Sequence, residues 1–292
     1  MTDLLPDTAS TPLDRARRDA HDAAARAGVV VRTLDTLAEL GAAYELYRSI
    51  WQPAAEHTAL TVGILRALAK AGNYVAGAYT DGDLVGIAVG MNGLPDHRHL
   101  HSHVAGVSPA TQGRSIGLAL KLHQRAWALA SGITTITWTF DPLVRRNAYF
   151  NLAKLGARPE AYLTDFYGPM DDALNSGDAS DRLLVTWPLT EPLPDPTNTE
   201  TEPRPTLINH TKTAPTAVTE TAPRVAVPTP TDIESLRRTA PGIAQAWRSA
   251  QRTALTTELD AGSTITGFDR QGNYLITRSE KQIFLRKRTA EE

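Results

Sequence analysis

The chain contains no cysteine among its 292 residues. Disulfide bonds, thiolate nucleophiles and cysteine-based metal sites are therefore excluded. A covalent mechanism would have to use serine, threonine, lysine or a carboxylate as its nucleophile. The remaining composition, 41% apolar and 21% charged, is that of an ordinary globular protein with enough length for one large or two modest domains.

The sequence also lacks an excess of charge of one sign and any long apolar run. Its formal net charge of −2 provides no overall positive field, so we expect neither a nucleic-acid partner nor an anionic membrane partner. No apolar run is long enough to cross a bilayer, and the first 28 residues lack the apolar segment of a signal peptide. These observations predict a cytoplasmic protein.

Hydrophobic periodicity predicts a polar helix or arm over residues 1–27 and then the order β, α, α, β, β, β, α, β, α, followed by two further strands. Asp81-Gly82 joins two of the strands and is a strong hairpin signal. This order predicts an α/β (α+β) fold, with a mixed central sheet flanked by helices, over residues 28–190.

The composition changes abruptly after this domain. Residues 191–223 are dominated by threonine, proline and glutamate, which predicts a disordered or extended linker. Residues 224–280 are globular in composition again and predict a strand, one or two helices and a hairpin. Because so small a segment is marginally stable alone, we expect it to dock on the first domain as an αβ extension, ahead of a charged tail at 281–292.

One short stretch, VSPATQGRSIGLAL at residues 107–120, joins a β-branched run to a helical period. A turn between a strand and a helix amino terminus gathers unpaired N–H groups at the positive end of the helix dipole, which favours an anion-binding site. A short glycine pattern is weak support by itself, because the same letters also fit a turn that only begins a helix.

With this element order, residues 29–190 resemble the GNAT superfamily of N-acetyltransferases, as an uncharacterised branch with a C-terminal extension. The family motif Gln/Arg-x-x-Gly-x-Gly/Ala reads here as Gln112-x-x-Ser115-x-Gly117. The resemblance implies that the backbone of this loop binds the pyrophosphate of acetyl-CoA as co-substrate. Ser115 departs from the usual glycine, and Arg114 is placed to add charge against phosphate. The cofactor-binding residues expected from the resemblance are Ala105, Val107, Gln112, Gly113, Arg114, Ser115, Ile116, Gly117 and Asn147.

A second match to the family lies in RRNAYFNLAKLGA. Ala148, Lys154 and Gly156 agree with the family's later helix. Leu152 replaces the tyrosine that many members use as a general acid, so that role cannot be transferred to this chain. Arg145 stands at the usual asparagine position, and Asn147 lies near it in the sequence.

Acetyl transfer to an amine needs a neutral amine, a polarised thioester carbonyl and a proton for the leaving thiolate. The resemblance implies that a backbone N–H of the fourth strand, between Ala105 and Val107, polarises the carbonyl. Gly106 in the same strand fits either close approach by another chain or a β-bulge.

Histidines rather than carboxylates occupy the fourth strand. His97, His99, His101 and His103 alternate, and therefore share one face if the strand is regular. A metal site is one interpretation, but nothing else in the sequence supports it, so no metal is predicted. We interpret His97 and His99 as surface histidines, whereas His103 is equally compatible with a catalytic base and with a structural role.

Two further residues complete the predicted catalytic set of His103, Asp141 and Tyr167. Asp141 follows a strand, where ligand sites of open sheets tend to lie, although it also fits a helix N-cap before Pro142. Tyr149, Tyr162 and Tyr167 could each protonate the thiolate or simply pack. Tyr167 is preferred because its surroundings look irregular rather than helical.

These features together predict an acyl-CoA-dependent N-acyltransferase that moves an acetyl group to an amine by direct attack in a ternary complex. The alternative is a catalytically inactive GNAT-fold module that binds CoA or a nucleotide for regulation. The acceptor is a small-molecule amine or a protein lysine, and a homodimer is left open.

Overall fold

The residues that the structure, a computed structural model, describes are 10–53, 60–94, 98–168, 178–195, 203–210 and 214–279. They fall into two units. The first unit contains residues 1–52, 58–136 and 188–192, and the second contains 53–57, 137–187 and 193–292. The linker positions 196–202 and 211–213, His97 and the predicted tail at 281–292 lie outside the described residues.

The first unit alternates helices with an antiparallel run of strands, in which β1–β2, β2–β3 and β3–β4 are paired. Its elements are α1 (Pro12–Ala27), β1 (Val30–Thr33), α2 (Leu37–Trp51), α3 (Val62–Lys70), β2 (Tyr74–Thr80), β3 (Asp83–Asn92), β4 (His99–Val107) and α4 (Ile116–Ala130).

Local chemistry explains where several of these elements begin and end. Thr11 and Thr36 each form a capping box with the acidic residue three positions later, which satisfies amide groups at the starts of α1 and α2. Asp81 and Gly82, at φ 51° and 90°, form the tight turn between β2 and β3. The hairpin predicted from Asp81-Gly82 is therefore confirmed.

A buried apolar cluster holds α2 and α3 against the strands of the first unit. Its members include Leu40, Tyr47, Leu65, Ile87 and Val104. Apolar positions at helical spacing in α2 thus meet apolar positions of β3 and β4, as amphipathic patterning requires. This packing fixes the position of β4, from which the candidate site is built.

The second unit combines the later strands with the C-terminal segment. Its elements are the greater part of β5 (Thr135–Phe140), α5 (Arg145–Ala148), a π-helical turn (Tyr149–Lys154), β6 (Arg158–Leu163), β7 (Arg182–Pro188), β8 (Ile208–Asn209), β9 (Thr216–Ala217), β10 (Arg224–Pro228), α6 (Ile233–Thr239), α7 (Pro241–Asp260), β11 (Thr264–Phe268) and β12 (Asn273–Thr277). β8 and β9 lie within the predicted linker and pair with each other.

The larger sheet has the strand order β1-β2-β3-β4-β5-β7-β6, and the C-terminal segment forms a three-stranded sheet in the order β10-β12-β11. The predicted fold class, a mixed α/β sheet flanked by helices with a small αβ extension, is confirmed. None of the helices in the described part of the chain combines the length and the apolar character needed for a membrane crossing.

The predicted helix at 145–156 differs in detail from the observed structure. It divides into the short α5 and a π-helical turn, in which the amide of Leu155 donates to the carbonyl of Phe150 at 3.1 Å. The wider turn buries both Asn151 and Leu152, which are adjacent in sequence. Helical periodicity does not distinguish such a turn from a regular helix.

Arg125 of α4 is buried and connects three parts of the first unit. Its Nε donates to the carbonyl of Leu189 at 2.9 Å, and one Nη donates to the carbonyl of Glu191 at 2.7 Å. The other Nη pairs with the carboxylate of Asp19 in α1 at 2.9 Å. A single guanidinium thus satisfies two backbone carbonyls of the segment that follows β7 and the carboxylate of Asp19 in α1.

We expect Arg125→Met to lower the free energy of unfolding by about 3 kcal/mol, because a buried guanidinium with three acceptors is lost. Urea denaturation of the full chain measures this change. Arg66→Met removes an exposed pair with Asp35 and serves as the control, with an expected loss below about 1 kcal/mol. Equal losses in the two variants would contradict the structural role given to Arg125.

Candidate functional site

The turn between β4 and α4 has a backbone that only a few residue types adopt easily. β4 pairing ends where the amide of Ser108 donates to the carbonyl of Val85 at 2.8 Å, and a 3-10 turn follows at Pro109–Thr111. Gly113 and Ser115 then have φ of 85° and 61°, both left-handed. α4 begins at Ile116 directly after this reversal.

Five consecutive backbone N–H groups in this turn have no acceptor. The amides of residues 113–117 donate no hydrogen bond within the described part of the chain. The first helical bonds come from Leu118 and Ala119, which donate to the carbonyl of Ser115 at 3.0 and 3.2 Å. The unpaired donors lie at the amino end of a 15-residue helix, where the dipole is positive. This arrangement suits an anion with several oxygens.

Ser115 and Gly117 differ in how they fit the turn. Ser115 is in a left-handed conformation that costs a residue with a Cβ about 1 kcal/mol, so a glycine would relieve strain there. A Cβ placed on Gly117 would meet only Val107 Cγ2, at 3.9 Å. The protein's own packing therefore does not require glycine at 117, and its absence of a side chain leaves the adjacent amides open to an outside group.

Arg114 is directed away from the unpaired amides. Its Nη2 lies 3.4 Å from the carbonyl oxygen of Ala27, at the end of α1. The negative end of the α1 dipole attracts a guanidinium there. Binding of phosphate by Arg114 consequently stays a prediction, since it would require the side chain to leave this carbonyl.

A β-bulge in β4 lies at His103. Val89 of β3 faces Val104, whereas Gly90 faces Ser102, so His103 is the extra residue. The Oγ of Ser102 accepts from Lys121 Nζ of α4 at 3.1 Å, while Val104 packs into the cluster with α2 and α3. Alternation along β4 is therefore broken at His103, so that Ser102 and Val104 lie on opposite faces of the sheet.

His101 and His103 remain neighbours, with ring centroids 6.4 Å apart. Burial lowers the pKa of both imidazoles, so both are neutral at pH 7. A neutral imidazole can accept a proton, which is what a general base requires. Across the residues that the structure describes, no cluster of three His, Asp or Glu side chains is placed to hold a metal ion.

Two residues near β4 were not found by sequence reasoning. Trp51 at the end of α2 lies against Gly106, and the only signal was a glycine inside a strand. Lys121 is buried beneath β4, where its Nζ also donates to Gln124 Oε1 at 2.9 Å. Burial lowers the pKa of Lys121 to about 7. The sequence signal for Lys121 was a lysine at a position that the helical periodicity of α4 places in the interior.

The remaining predicted residues lie in the second unit. Asp141 is buried, and its carboxylate accepts from Arg248 at 2.9 and 3.0 Å and also from Arg237. Both guanidiniums also reach Asp178 at 2.9 Å. Burial alone would raise the pKa of Asp141, but the two guanidiniums outweigh burial and hold that pKa below its usual range. Asp141 is therefore a charged structural partner of α6 and α7.

The alternative interpretation of Asp141 as a helix N-cap is not observed. α5 begins at Arg145 with Val144 as its N-cap, whereas the Asp141 carboxylate accepts from the amide of Leu143 at 3.0 Å. Asn147 is half-buried in α5. A catalytic role for Asp141 stays a prediction, and the ion pairs make a structural role the better supported one.

Tyr167 is partly exposed in the turn after β6. Its hydroxyl lies 3.2 Å from Thr139 Oγ1, and the guanidinium carbon of Arg182 is 5.2 Å from its ring centroid. In contrast, the hydroxyl of Tyr162 donates to Asp181. Among the predicted tyrosines, Tyr167 thus keeps a hydroxyl at the protein surface.

Arg145, which departs from the family pattern, contacts the C-terminal segment. Its Nε donates to Thr229 Oγ1 at 3.1 Å, and a Cβ on Gly272 would lie 2.3 Å from its guanidinium carbon. The guanidinium therefore occupies the space above Gly272 in the β11–β12 hairpin. This contact gives a structural reason for arginine at position 145.

Comparison with known proteins yields one family match. Residues 13–149 match a family model described as an acetyltransferase (GNAT) domain. No curated protein matches the chain.

Several solved structures are similar to about half of this chain. The ribosomal-protein-S18-alanine N-acetyltransferase from Escherichia coli is 15% identical, and the match covers 56% of this chain and 96% of that one, with a TM-score of 0.46. The Salmonella typhimurium protein yncA, determined with its cofactor acetyl-CoA, is 20% identical with the same coverages and TM-score. The ribosomal-protein-alanine N-acetyltransferase from Brucella melitensis is 18% identical over 55% and 99%, with a TM-score of 0.45.

We expect Asp141→Asn to lower the free energy of unfolding at pH 7 by about 3 kcal/mol, because two buried guanidiniums lose a charged partner. The lowered pKa of Asp141 means that its stabilisation is complete above its ordinary pKa of 3.8 and is lost as the pH falls below that value. Denaturation at several pH values therefore shows the difference between wild type and variant shrinking in acid.

The control is Glu234→Gln, which removes the charged partner of the exposed Arg146. Its loss should stay below about 1 kcal/mol. A loss for Asp141→Asn no greater than that of the control would show that the Asp141 ion pairs do not hold α6 and α7.

Proposed function

We propose that this chain transfers an acyl group from acyl-CoA to an amine, with acetyl-CoA as the donor. The match of residues 13–149 to the GNAT family of acetyltransferase domains supports this function. The observation that carries the proposal is the row of five unpaired N–H groups at the start of α4. A pyrophosphate presents several charged oxygens, and such donors bind them without any change in the fold.

The donor molecule would be held by backbone rather than by side chains. In the proposed complex the amides of residues 113–117 bind the pyrophosphate, and the absent side chain of Gly117 allows its close approach. The pantetheine arm then runs beside β4, where a backbone N–H between Ala105 and Val107 polarises the thioester carbonyl. Gln112 and Ile116 flank the bound phosphates.

The reaction is a direct attack. The amine nitrogen forms a bond to the thioester carbonyl carbon, the C–S bond breaks, and the amide product and CoA thiolate leave. The proton lost by the amine goes to a base, and the thiolate gains a proton from an acid. Because the chain has no cysteine, no acyl-thioester of the protein takes part.

We assign the base to His103, whose neutral imidazole lies at the bulge of β4. A bulge re-aims the side chain that it carries, and bulges are frequent beside active sites. Tyr167, which the sequence predicts as the acid that protonates the thiolate, lies in the second unit, and this role stays a prediction from the sequence. The proposal specifies the acceptor only as an amine, which includes both a small-molecule amine and a protein lysine.

A Gly117→Glu substitution tests the phosphate-binding loop, since it adds a carboxylate beside the unpaired amides. We expect the Kd for acetyl-CoA, measured by calorimetry, to rise at least tenfold, which corresponds to about 1.4 kcal/mol. Gly63→Glu is the matched control, because Gly63 is also the second residue of a helix and has similar free space around its Cβ position. An unchanged Kd for Gly117→Glu would refute the loop assignment.

The same preparations, assayed for CoA release with a panel of amines, separate an enzyme from a binding module. Tight binding of acetyl-CoA together with transfer to an amine supports the transferase. Tight binding without transfer to any amine, lysine peptides included, would favour the catalytically inactive module instead.

A His103→Gln variant tests the base. Burial lowers the pKa of His103 below 6.5, so the wild-type rate should fall as the pH drops through that lowered pKa and the imidazole becomes protonated. The variant should lose this acidic limb and most of its rate at pH 7. His99→Gln, a substitution on the same strand, should keep the wild-type profile. An acidic limb that survives in His103→Gln would exclude His103 as the base.

A further inference from the structure

A groove lies between α1, the start of β1 and the second half of α4, all within the first unit. Its volume is about 560 Å³, inside the range of roughly 300–1,000 Å³ that small-molecule sites occupy. Its lining includes Ala20 and Ala24 of α1, Ala126 and Ala130 of α4, and the valines at 29–31. Within the described part of the chain, none of the lining residues belongs to β4 or to the turn at 113–117. The groove is therefore separate from the residues proposed to bind acyl-CoA.

The walls of this groove are apolar and shallow in side chain. Each alanine pair is spaced by four residues, so its two members share one face of their helix. β1 is the edge strand of the larger sheet, and Val30 in it is 65% exposed. The groove thus presents an apolar surface that is open to solvent on one side.

An aromatic ring forms part of the lining. Trp127 of α4 packs on Tyr74 of β2, with ring centroids 5.2 Å apart and an interplanar angle of 59°. Tyr74 has no exposed surface, so the tryptophan rests on a buried ring while its own side chain is only half-buried. A fixed indole of this kind favours a flat aromatic partner, because aromatic rings pack well in offset or edge-to-face arrangements.

His123 supplies a hydrogen-bond donor to the same groove. The hydroxyl of Tyr74 lies 2.9 Å from Nδ1 of His123, and within the described residues this is the only hydrogen bond of that hydroxyl. Burial raises the pKa of Tyr74, so the hydroxyl keeps its proton and needs an acceptor. Tyr74 therefore donates to Nδ1, which places the hydrogen of the neutral imidazole on Nε2. This Nε2–H has no acceptor in the described part of the chain.

The charge of the lining is of one sign. Arg17 of α1 is exposed at the groove, and the other ionisable lining residues are His21 and His123. Among the described residues that line the groove there is no carboxylate. A carboxylate on a ligand would therefore meet a guanidinium and an imidazole N–H, and no like charge from the lining. Arginine is well suited to such a partner because its planar fork matches carboxylate geometry.

We propose that this groove binds a small planar aromatic carboxylate, with its ring against Trp127 and its carboxylate held by His123 and Arg17. The alanines leave the space that the ring fills. This ligand site goes beyond the proposed acyl transfer and does not depend on it, because no residue is shared between the two.

The test titrates the full chain with 2-naphthoate and measures binding by calorimetry. We expect saturable binding with a Kd of about 1 mM or tighter, and a shift of the His123 imidazole signal in the NMR spectrum. The neutral isostere 2-naphthamide should bind about fivefold more weakly, since it lacks the charge. Equal affinity for the two probes would overturn the assignment of a carboxylate ligand.

Ala126→Leu fills the groove without removing a polar group and should raise the Kd of 2-naphthoate at least tenfold. Ala20→Leu fills it from the other helix and serves if the first variant is unstable. Ala42→Leu is the matched control, because Ala42 is an exposed alanine of α2 that does not line the groove, and its Kd should equal that of the wild type. An unchanged Kd in both filling variants would overturn the proposal.

Two further variants separate this site from other anion sites. Arg17→Gln should weaken binding of 2-naphthoate about fivefold, whereas Arg18→Gln, at the next position of α1 but outside the groove, should not. Gly117→Glu should also leave the Kd of 2-naphthoate unchanged. Loss of binding in Gly117→Glu would show that the probe occupies the turn at 113–117 and would overturn the proposal, while the Kd of acetyl-CoA tests the proposed function separately.

Discussion

The unpaired amides at the start of α4 are the constraint from which the rest of the site follows. A helix amino terminus always leaves its first N–H groups without intrahelical partners, and most chains satisfy them with a capping side chain. Here Ser115 is the N-cap but provides no side-chain cap, because its left-handed backbone leaves its hydroxyl without a bond to the helix. The starts of α1 and α2 in the same unit are capped in full. The start of α4 therefore differs from the starts of α1 and α2 in leaving its amide donors without a capping side chain.

The shape of β4, the strand that precedes this turn, is determined in the same part of the first unit. The bulge at His103 separates the stretch that faces Lys121 from the stretch that carries Gly106. It allows one strand to offer imidazoles at one end and a side-chain-free backbone position at the other. Trp51 then covers that backbone position. Backbone, bulge and indole together define the surface that this strand presents.

The second unit is organised by charge instead. Asp141 and Asp178 accept from Arg237 and Arg248 in the interior, and Arg278 pairs with Glu258 in a separate buried pair. Buried pairs of this kind cost desolvation and repay it only with good geometry, so their main effect is to specify one arrangement of the C-terminal helices. This network gives a structural reason for the aspartate at position 141, whose predicted catalytic role stays a prediction.

The sequence alone determined the element order, the β2–β3 hairpin and the strand–turn–helix motif, because these depend on residues a few positions apart. It also indicated the alternation of histidines along β4. The periods of 2 and 3.6 residues carry such information locally. The sequence did not predict the π-helical turn after α5, because helical periodicity does not distinguish a turn with one extra residue from a regular turn.

Only the tertiary structure decided the rest. The bulge at His103 depends on the register with β3, and the need for glycine at 106 depends on an indole 55 positions earlier in the sequence. Asp141 meets Arg237 and Arg248 across separations of 96 and 107 residues. No local pattern encodes contacts at that distance, since they form only when packing brings remote elements together. For that reason the sequence could only suggest candidate functional residues, while the fold determined which of them are already engaged in ion pairs and packing.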